Sequence, residues 1–167
     1  TVAGLLDCAP SLDGCVAEVE AGLAFVRRTG SEQTGQWLDS YRWLARVLRG
    51  ERPTAASEVA PDRYVDNPLA IFHAHLTHAI VAAIFGDPAG LARHTAAAMP
   101  LLPAALGLYP TAAARLLRGL ALAGEVRAGH GDERGELLSE LDEVTRWLAA
   151  RAADAPDNFL HLLRLVE

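Results

Sequence analysis

The sequence contains no lysine, and all 15 of its basic residues are arginine. Three kinds of site depend on a lysine side chain: the phosphate-binding P-loop, the ATP site of a protein kinase and the Schiff base of a pyridoxal enzyme. None of them can be built from this chain alone. The chain also lacks the Gly-x-Ser-x-Gly and His-Glu-x-x-His motifs and a glycine-rich phosphate loop after a strand. We therefore expect this segment to be non-enzymatic.

Aromatic residues are also few, at 6% of the chain, and no clear alternating run indicates a β-strand. Hydrophobic residues make up 51%, and the excess is mostly alanine and leucine, which favour helices. A chain of 167 residues is long enough for one domain with a hydrophobic core. Composition therefore predicts a single all-α domain over residues 1–167.

Positive charge and long apolar runs are scarce as well. The formal net charge is −6, which argues against nucleic acid as a partner, because nucleic-acid binding relies on clustered positive charge. We find no apolar run of the length that spans a bilayer and no signal peptide, so we expect no membrane partner and a cytoplasmic location.

Cys8 and Cys15 would lie about 10 Å apart on one helix, too far for a disulfide. We expect both to be reduced.

The clearest structural unit is a pair of helices over residues 67–99. Asn67 and Asp87 are each followed by proline, and this pair combines an N-cap with a residue preset for the first helical turn. Gly86 ends the first helix, because glycine accepts the left-handed C-cap conformation. The apolar residues of that helix recur at spacings of three and four, as in Leu69, Phe72, Leu76, Ile80 and Ala83.

Two more helix pairs are predicted at roughly 11–49 and 110–152, and Ser11 is expected to be the N-cap of the first of them. A last helix that Asp157 caps is predicted at 157–167. The sixth helix is expected to begin near Asp132, and 50–66 is the longest irregular stretch. The whole pattern predicts about seven antiparallel helices in a tetratricopeptide-like array of hairpins, forming a right-handed superhelix. The hairpins start at intervals of roughly 40 to 55 residues, longer than the standard tetratricopeptide repeat. We expect Gly119 and Gly124 to mark close approaches of a neighbouring helix. The chain lacks an initiator methionine and ends inside a helical pattern, so we expect a fragment of a longer protein.

Histidines are the strongest candidates for a metal site. His75 and His78 are three apart and can share one helical face, whereas His73 points elsewhere. No carboxylate or cysteine lies at helical spacing on that face, so we expect structural or surface histidines and no metal. The other three histidines are predicted to be isolated: His94, His130 and His161.

Three further sets of residues are candidates for binding. An arginine row could recognise an acidic peptide or phosphate, but such rows more often pair with acids or are solvated (Arg42, Arg46, Arg49). An acidic set is expected to form a solvated ridge (Glu136, Glu140, Glu143). The tryptophans are expected to be packing anchors, not a ligand-stacking site (Trp37, Trp43, Trp147). We assign no catalytic, cofactor-binding or metal-binding residue.

Several short segments carry a family resemblance. Phe-Gly-Asp at 85–87, followed by alanines at 89, 92 and 96, is similar to the helix–turn–helix joint of tetratricopeptide-like repeats. Asn-Pro-Leu at 67–69 leads into that joint, and the tail contains Trp-Leu-Ala at 147–149 and Ala-Pro-Asp-Asn-Phe-Leu-His at 155–161. Together they resemble the helical-repeat region of very large signalling proteins. Those proteins combine a serine/threonine-kinase-like domain, an AAA-type ATPase, a helical array, a GAF domain and a sensor histidine kinase.

The resemblance implies a regulatory scaffold that follows the nucleotide-binding module and precedes the output kinase. ATP and the catalytic residues would then belong to other domains of the parent, and the partners would be a protein, a peptide or neighbouring domains. Two alternatives stay open. One is a free-standing tetratricopeptide-like adaptor that binds a peptide or protein, and the other is a metal-binding helical bundle built on the histidines.

Overall fold

The computed structural model describes residues 2, 4, 6, 11–51, 59–128 and 133–167. Within these ranges the regular structure is all-helical and contains no β-strand, which confirms the predicted all-α class. The described α-helices are α1 (Leu12–Thr29), α2 (Glu32–Leu48), α3 (Pro68–Phe85), α4 (Pro88–Ala98), α5 (Pro110–Ala128), α6 (Glu133–Asp154) and α7 (Pro156–Val166). Two 3-10 segments, Pro61–Tyr64 and Met99–Ala105, precede α3 and follow α4.

The helix ends follow local capping chemistry. Side-chain oxygens of three predicted N-caps accept hydrogen bonds from backbone N–H groups, Ser11 from Asp13, Asn67 from Ala70 and Asp87 from Gly90. Gly86 ends α3 with a left-handed φ of 72°, as expected for a glycine C-cap. These ends are set by residues within one turn, which is why the sequence predicts them.

The last helix begins differently from the prediction. Its N-cap position is Ala155, which offers no side-chain cap, and Pro156 is the first helical residue. Asp157 lies inside the first turn, where its carboxylate faces the positive end of the helix dipole. The N-cap predicted at Asp132 lies outside the described residues, as do residues 52–58 of the predicted irregular stretch.

The helices build three core clusters in chain order. The first joins residues of α1, α2 and α3, around Val19, Leu44 and Ala74. The second joins α3, α4 and α5, around Phe72 and Leu117, and its other buried members are Leu76, Ala79, Ala98, Ala105 and Ala114. The third joins α5, α6 and α7, with Ala112, Leu122, Val144, Leu148, Ala152, Leu162 and Leu163. Helices α3 and α5 therefore each contribute to two clusters, which explains why both are apolar on more than one side.

Helix α3 has no Asp, Glu, Lys or Arg. By length and composition it could cross a bilayer, with a mean hydropathy of 1.6, and 44% of it is buried. The expectation that no such run exists was wrong, because the histidine and threonine residues that interrupt the apolar residues of α3 do not lower its mean hydropathy below that of a possible span. A central core helix has the same composition, and α3 packs against α2, α4 and α5.

The two glycines of α5 behave differently. A Cβ on Gly119 would lie 2.9 Å from Cγ1 of Val166 and 3.3 Å from Cγ1 of Val144, so the predicted close approach is confirmed there. A Cβ on Gly124 would meet nothing within 4 Å, and the same prediction was wrong for that residue. Gly124 is exposed.

Candidate functional site

An open cleft of about 550 Å³ lies between the connector after α4 and the last three helices. Its apolar wall includes Leu102, Leu106, Leu108 and Phe159. Its polar lining includes Arg115 from α5 and Arg151 and Asp154 from α6, with Trp147 between them. Cavities of this size are typical of small-molecule sites in proteins. We refer to it as the arginine cleft.

The connector supplies the apolar rim. Pro103 lies inside the 3-10 segment, and a proline there cannot continue an α-helix. Gly107 takes a positive φ of 78°, which turns the chain towards α5. The leucines on either side are left in solvent, with Leu106 76% exposed and Leu108 44% exposed. Large apolar side chains exposed beside a cleft are typical of a binding surface.

The ring of Trp147 is contacted by two guanidinium groups. The Cζ atom of Arg115 lies 4.7 Å from the ring centroid, and that of Arg151 lies 5.8 Å from it. Arg151 is four residues after Trp147 and so lies on the same face of α6, whereas Arg115 comes from α5. Both contacts are cation–π interactions, which favour placing the two charges over the indole ring.

The two arginines differ in their charge partners. Arg151 forms an ion pair with Asp154, with Nη2 3.3 Å from Oδ2. Arg115 is half-buried, and no carboxylate in the described ranges lies within salt-bridge distance of it. Burial lowers the pKa of Arg115, and the more distant carboxylate of Glu143 acts in the opposite direction. The cleft thus contains one guanidinium whose charge is only partly compensated.

The tryptophans divide into two groups. Trp37 contacts the rings of Tyr41 and His73, and Trp43 is buried against the ring of His78, so both are packing residues as predicted. Trp147 also packs against the third cluster, but it lines the arginine cleft as well. The spacing of Trp147 and Arg151 was visible in the sequence, whereas their pairing with Arg115 depends on how α5 and α6 pack.

His73 is separated from the other two histidines of α3, as predicted. Its Nδ1 lies 3.1 Å from the hydroxyl oxygen of Tyr41 on α2, and the side chain is buried. Burial lowers the pKa of His73 to about 4, so the imidazole is neutral at pH 7. His73 therefore acts as a hydrogen-bonded core residue.

His75 and His78 face α4, and the prediction that His94 is isolated was wrong. Nδ1 of His75 lies 3.1 Å from Nδ1 of His94, and the rings of His78 and His94 stack at 4.7 Å with an interplanar angle of 11°. Nε2 of His78 donates to the carbonyl oxygen of Val59 at 2.6 Å. The sequence could not reveal this cluster, because α4 lies beside α3 only after the turn at residues 86–87 has formed.

Burial lowers the pKa values of two rings of this cluster, those of His75 and His94. Burial lowers the pKa of His94 to about 4, with smaller contributions from His78, His75 and Arg93, while Asp87 raises it. Burial also lowers the pKa of His75, and His78 adds to this effect. Uncharged imidazoles can hydrogen-bond to one another, with one nitrogen donating and the other accepting.

The arrangement of these histidines bears on the metal-binding alternative. Among the described residues, no group of three or more His, Cys, Asp or Glu side chains could hold a metal ion. The nitrogen lone pairs of an imidazole lie in the plane of its ring. Because the rings of His78 and His94 are stacked and nearly parallel, their nitrogen lone pairs do not converge on one point, as metal binding requires. His161 is exposed on α7, and His130 lies outside the described residues.

The acidic ridge is only partly solvated. Glu136 and Glu143 are exposed, but Glu140 forms an ion pair with the buried side chain of Arg118 on α5, so the prediction was wrong for Glu140. The hydrogen bond from Arg118 lowers the pKa of Glu140, and burial has a smaller effect in the opposite direction. The sequence of α6 alone does not indicate that Arg118 of α5 is the partner of Glu140.

The arginine row on α2 is engaged in ion pairs, in line with the expected structural role. Arg42 pairs with Asp39 at 2.5 Å and lies 4.0 Å from Glu20. Arg46 lies 3.8 Å from Glu51, and Arg49 pairs with Asp13.

Cys15 is a buried free cysteine whose thiol pKa is raised by burial. Cys8 lies outside the described residues.

No protein-family model matches this chain, and no curated protein or solved structure matches it either. The arginine cleft and the histidine cluster therefore have to be interpreted from their own geometry.

Proposed function

We propose that the chain is a non-enzymatic regulatory scaffold, a tetratricopeptide-like helical-repeat segment of a multidomain signal-transduction ATPase–kinase. In this proposal it binds a protein, a peptide or a neighbouring domain of its own chain. Binding of the partner displaces the helices at the contact, and the packed helices transmit this displacement along the chain. The observation that carries the proposal is the serial arrangement of the three core clusters, in which α3 and α5 are each shared between two of them.

Serial packing of this kind supports an array of antiparallel hairpins with a right-handed superhelix. Among the described residues, each cluster is built mainly from three consecutive helices, and a repeat array likewise packs each unit against its neighbours. The two-residue connection at 86–87 favours antiparallel α3 and α4, because helices joined by so short a loop must fold back. A displacement at one end of such an array can reach the other through α3 and α5.

The assignment to an ATPase–kinase rests on the resemblance of residues 67–99 and 145–167 to the helical-repeat region of those proteins. In that context ATP binds in other domains, and this segment transmits the state of one module to another. The arginine cleft supplies a place for the partner, since exposed Leu106 and Leu108 border a cavity with a partly compensated charge.

The proposal is tested in the complete protein. We expect the reading frame to encode a lysine-containing nucleotide-binding loop before Thr1 and a histidine kinase after Glu167. We expect the double variant Leu106→Ser/Leu108→Ser to change the ATP-dependent autophosphorylation rate of the complete protein severalfold. The matched control is Leu138→Ser, because Leu138 is an exposed leucine on α6 that does not line the cleft.

Two results would contradict the proposal. Hydrolysis of ATP by the 167-residue chain itself would exclude a purely structural role. A reading frame that ends shortly after Glu167 would instead support the alternative, a free-standing adaptor with a peptide or protein partner. The metal-bundle alternative has less support, because His78 and His94 stack and do not converge; stoichiometric zinc binding that His78→Ala abolishes would revive it.

A further inference from the structure

The arginine cleft has the composition of a site for a small amphiphilic anion. Arg115 lines a cavity that is otherwise mostly apolar, and its guanidinium lies over the ring of Trp147. A guanidinium presents several N–H donors in a planar fork that matches the two oxygens of a carboxylate. Indole contact leaves the edges of that fork available, because a cation–π interaction uses the face of the group.

The charge balance of the cleft favours an anion over a cation. Asp154 is already paired with Arg151, so these two charges largely cancel. Arg115 has no such partner in the described part of the chain, and it is half-buried, where a charge loses part of its hydration. A bound carboxylate would supply the missing counter-charge in a region where water screens it less than at an open surface.

The walls of the cleft define the rest of the ligand. Leu102, Leu106 and Phe159 present an apolar surface beside the charge. The cavity of about 550 Å³ has the size of small-molecule sites, and Arg115 is one of its lining residues. A small ligand with one anionic head and an apolar body satisfies both features.

We propose that the arginine cleft binds a small carboxylate with an aliphatic body, whose head forms a forked hydrogen bond with Arg115 and whose chain packs on the leucine-rich wall. The inference deepens the proposed function and rests on it for its biological meaning, because a scaffold that binds such a molecule would act as a sensor. Binding itself, however, is a property of the 167-residue chain.

The test uses sodium decanoate below its micelle concentration as the probe. Binding is measured by isothermal titration calorimetry and by tryptophan fluorescence, because the ring of Trp147 lies in the cleft. We expect saturable binding of one decanoate per chain. Decanol, which has the same chain without the charge, is expected to bind at least about tenfold more weakly, since the charge-assisted hydrogen bond is lost.

Substitutions separate the site from non-specific binding. Arg115→Met retains much of the apolar stem and is expected to weaken decanoate binding at least about tenfold. Arg115→Lys keeps the charge and should restore part of the affinity. Arg146→Gln is the matched control, because Arg146 is an exposed arginine on α6 that does not line the cleft. Circular dichroism melting curves establish that each variant is folded.

A gain-of-affinity variant avoids the ambiguity of a folding defect. Asp154→Asn removes the negative charge from the cleft and frees Arg151 from its ion pair, so decanoate should bind about threefold more tightly. Unchanged or weaker binding to this variant would contradict the charge argument.

Several outcomes overturn the inference. They are equal binding of decanol and decanoate, equal binding to the Arg115→Met variant, or tighter binding of a leucine-terminated pentapeptide, which would identify a peptide site. The decanoate experiments and the test of the proposed function can fail separately. Decanoate can bind while Leu106→Ser/Leu108→Ser leaves the autophosphorylation rate of the complete protein unchanged. Equally, the double variant can change that rate in a protein that does not bind decanoate.

Discussion

The guanidinium of Arg118 on α5 donates to both carboxylate oxygens of Glu140 on α6. Nε lies 2.7 Å from Oε1 and Nη2 lies 2.6 Å from Oε2, which is a bidentate pair. Arg118 is only 7% exposed, and its Nη1 also lies 3.5 Å from Glu125. A charge buried to this extent has to be compensated, so this pair fixes the position of α6 along α5.

We expect Glu140→Ala to lower the free energy of unfolding by about 2 kcal/mol, because it leaves the buried guanidinium of Arg118 with only the weaker contact to Glu125. Glu136→Ala on the same helix is the control, since Glu136 is exposed and forms no ion pair among the described residues. Urea denaturation followed by circular dichroism measures both. A loss of similar size in the two variants would show that the pair does not stabilise the fold.

The buried histidines make stability dependent on pH. The pKa of His73 is about 4 in the folded chain and 6.5 in the reference state, so the unfolded chain binds more protons between these values. Stability is therefore fully present above pH 6.5 and falls as the pH decreases towards 4, by up to about 3 kcal/mol from His73. The lowered pKa values of His75 and His94 act in the same direction. Denaturation midpoints at pH 7, 5.5 and 4.5 measure the effect.

Variants assign that pH dependence to particular rings. His73→Phe should lower stability at pH 7, because the hydrogen bond with Tyr41 is lost, but it should also reduce the slope of stability against pH. His161→Gln removes an exposed histidine and should leave the slope as in the parent chain. Equal stability of the parent chain at pH 7 and pH 4.5 would contradict burial of neutral histidines.

Glu140 adds to the loss of stability at lower pH. Because its pKa is lowered in the folded chain, its contribution to the free energy of unfolding decreases below about pH 4.5.

The two glycines of α5 provide a matched pair. Gly124→Ala should stabilise the chain by about 0.5–1 kcal/mol, because alanine has the higher helix propensity and its methyl group meets no neighbour. Gly119→Ala should destabilise it by about 1 kcal/mol, since the methyl group would collide with Val166 and Val144. Thermal melts measure both, and Val166→Ala in the Gly119→Ala background should recover part of the loss. Equal gains from both alanines would mean that α7 does not pack closely on α5.

We expect the N-cap residues of α3 and α4 to contribute differently to the free energy of unfolding. Asn67→Ala removes the cap on Ala70 and two hydrogen bonds from Nδ2 to α2, one to the carbonyl oxygen of Gln33 at 3.0 Å and one to Oε1 of Gln36 at 2.8 Å. We expect a loss of about 2 kcal/mol. Asp87→Ala removes the cap on Gly90 and should cost about 1 kcal/mol. Urea denaturation distinguishes them, and a smaller loss for Asn67→Ala would contradict its bridging role.

The sequence by itself determined the helical class, most helix boundaries and the caps at Ser11, Asn67 and Asp87. These features depend on residues within one or two turns, and capping and helix propensity act at that range. The α7 start differed from the prediction because Pro156 takes the first helical position ahead of the polar residue expected to cap it. The separation of His73 from His75 and His78 also followed from the helical period alone.

Only the tertiary structure decided which faces meet. His94 joins His75 and His78, Arg118 meets Glu140, and Arg115 meets Trp147, and the two members of each contact come from different helices. Such contacts depend on the rotation and offset of one helix against another, which the packing of the three core clusters sets. The local pattern of a single helix records which side is apolar but not which neighbour will cover it, so the arginine cleft was not visible before the helices were assembled.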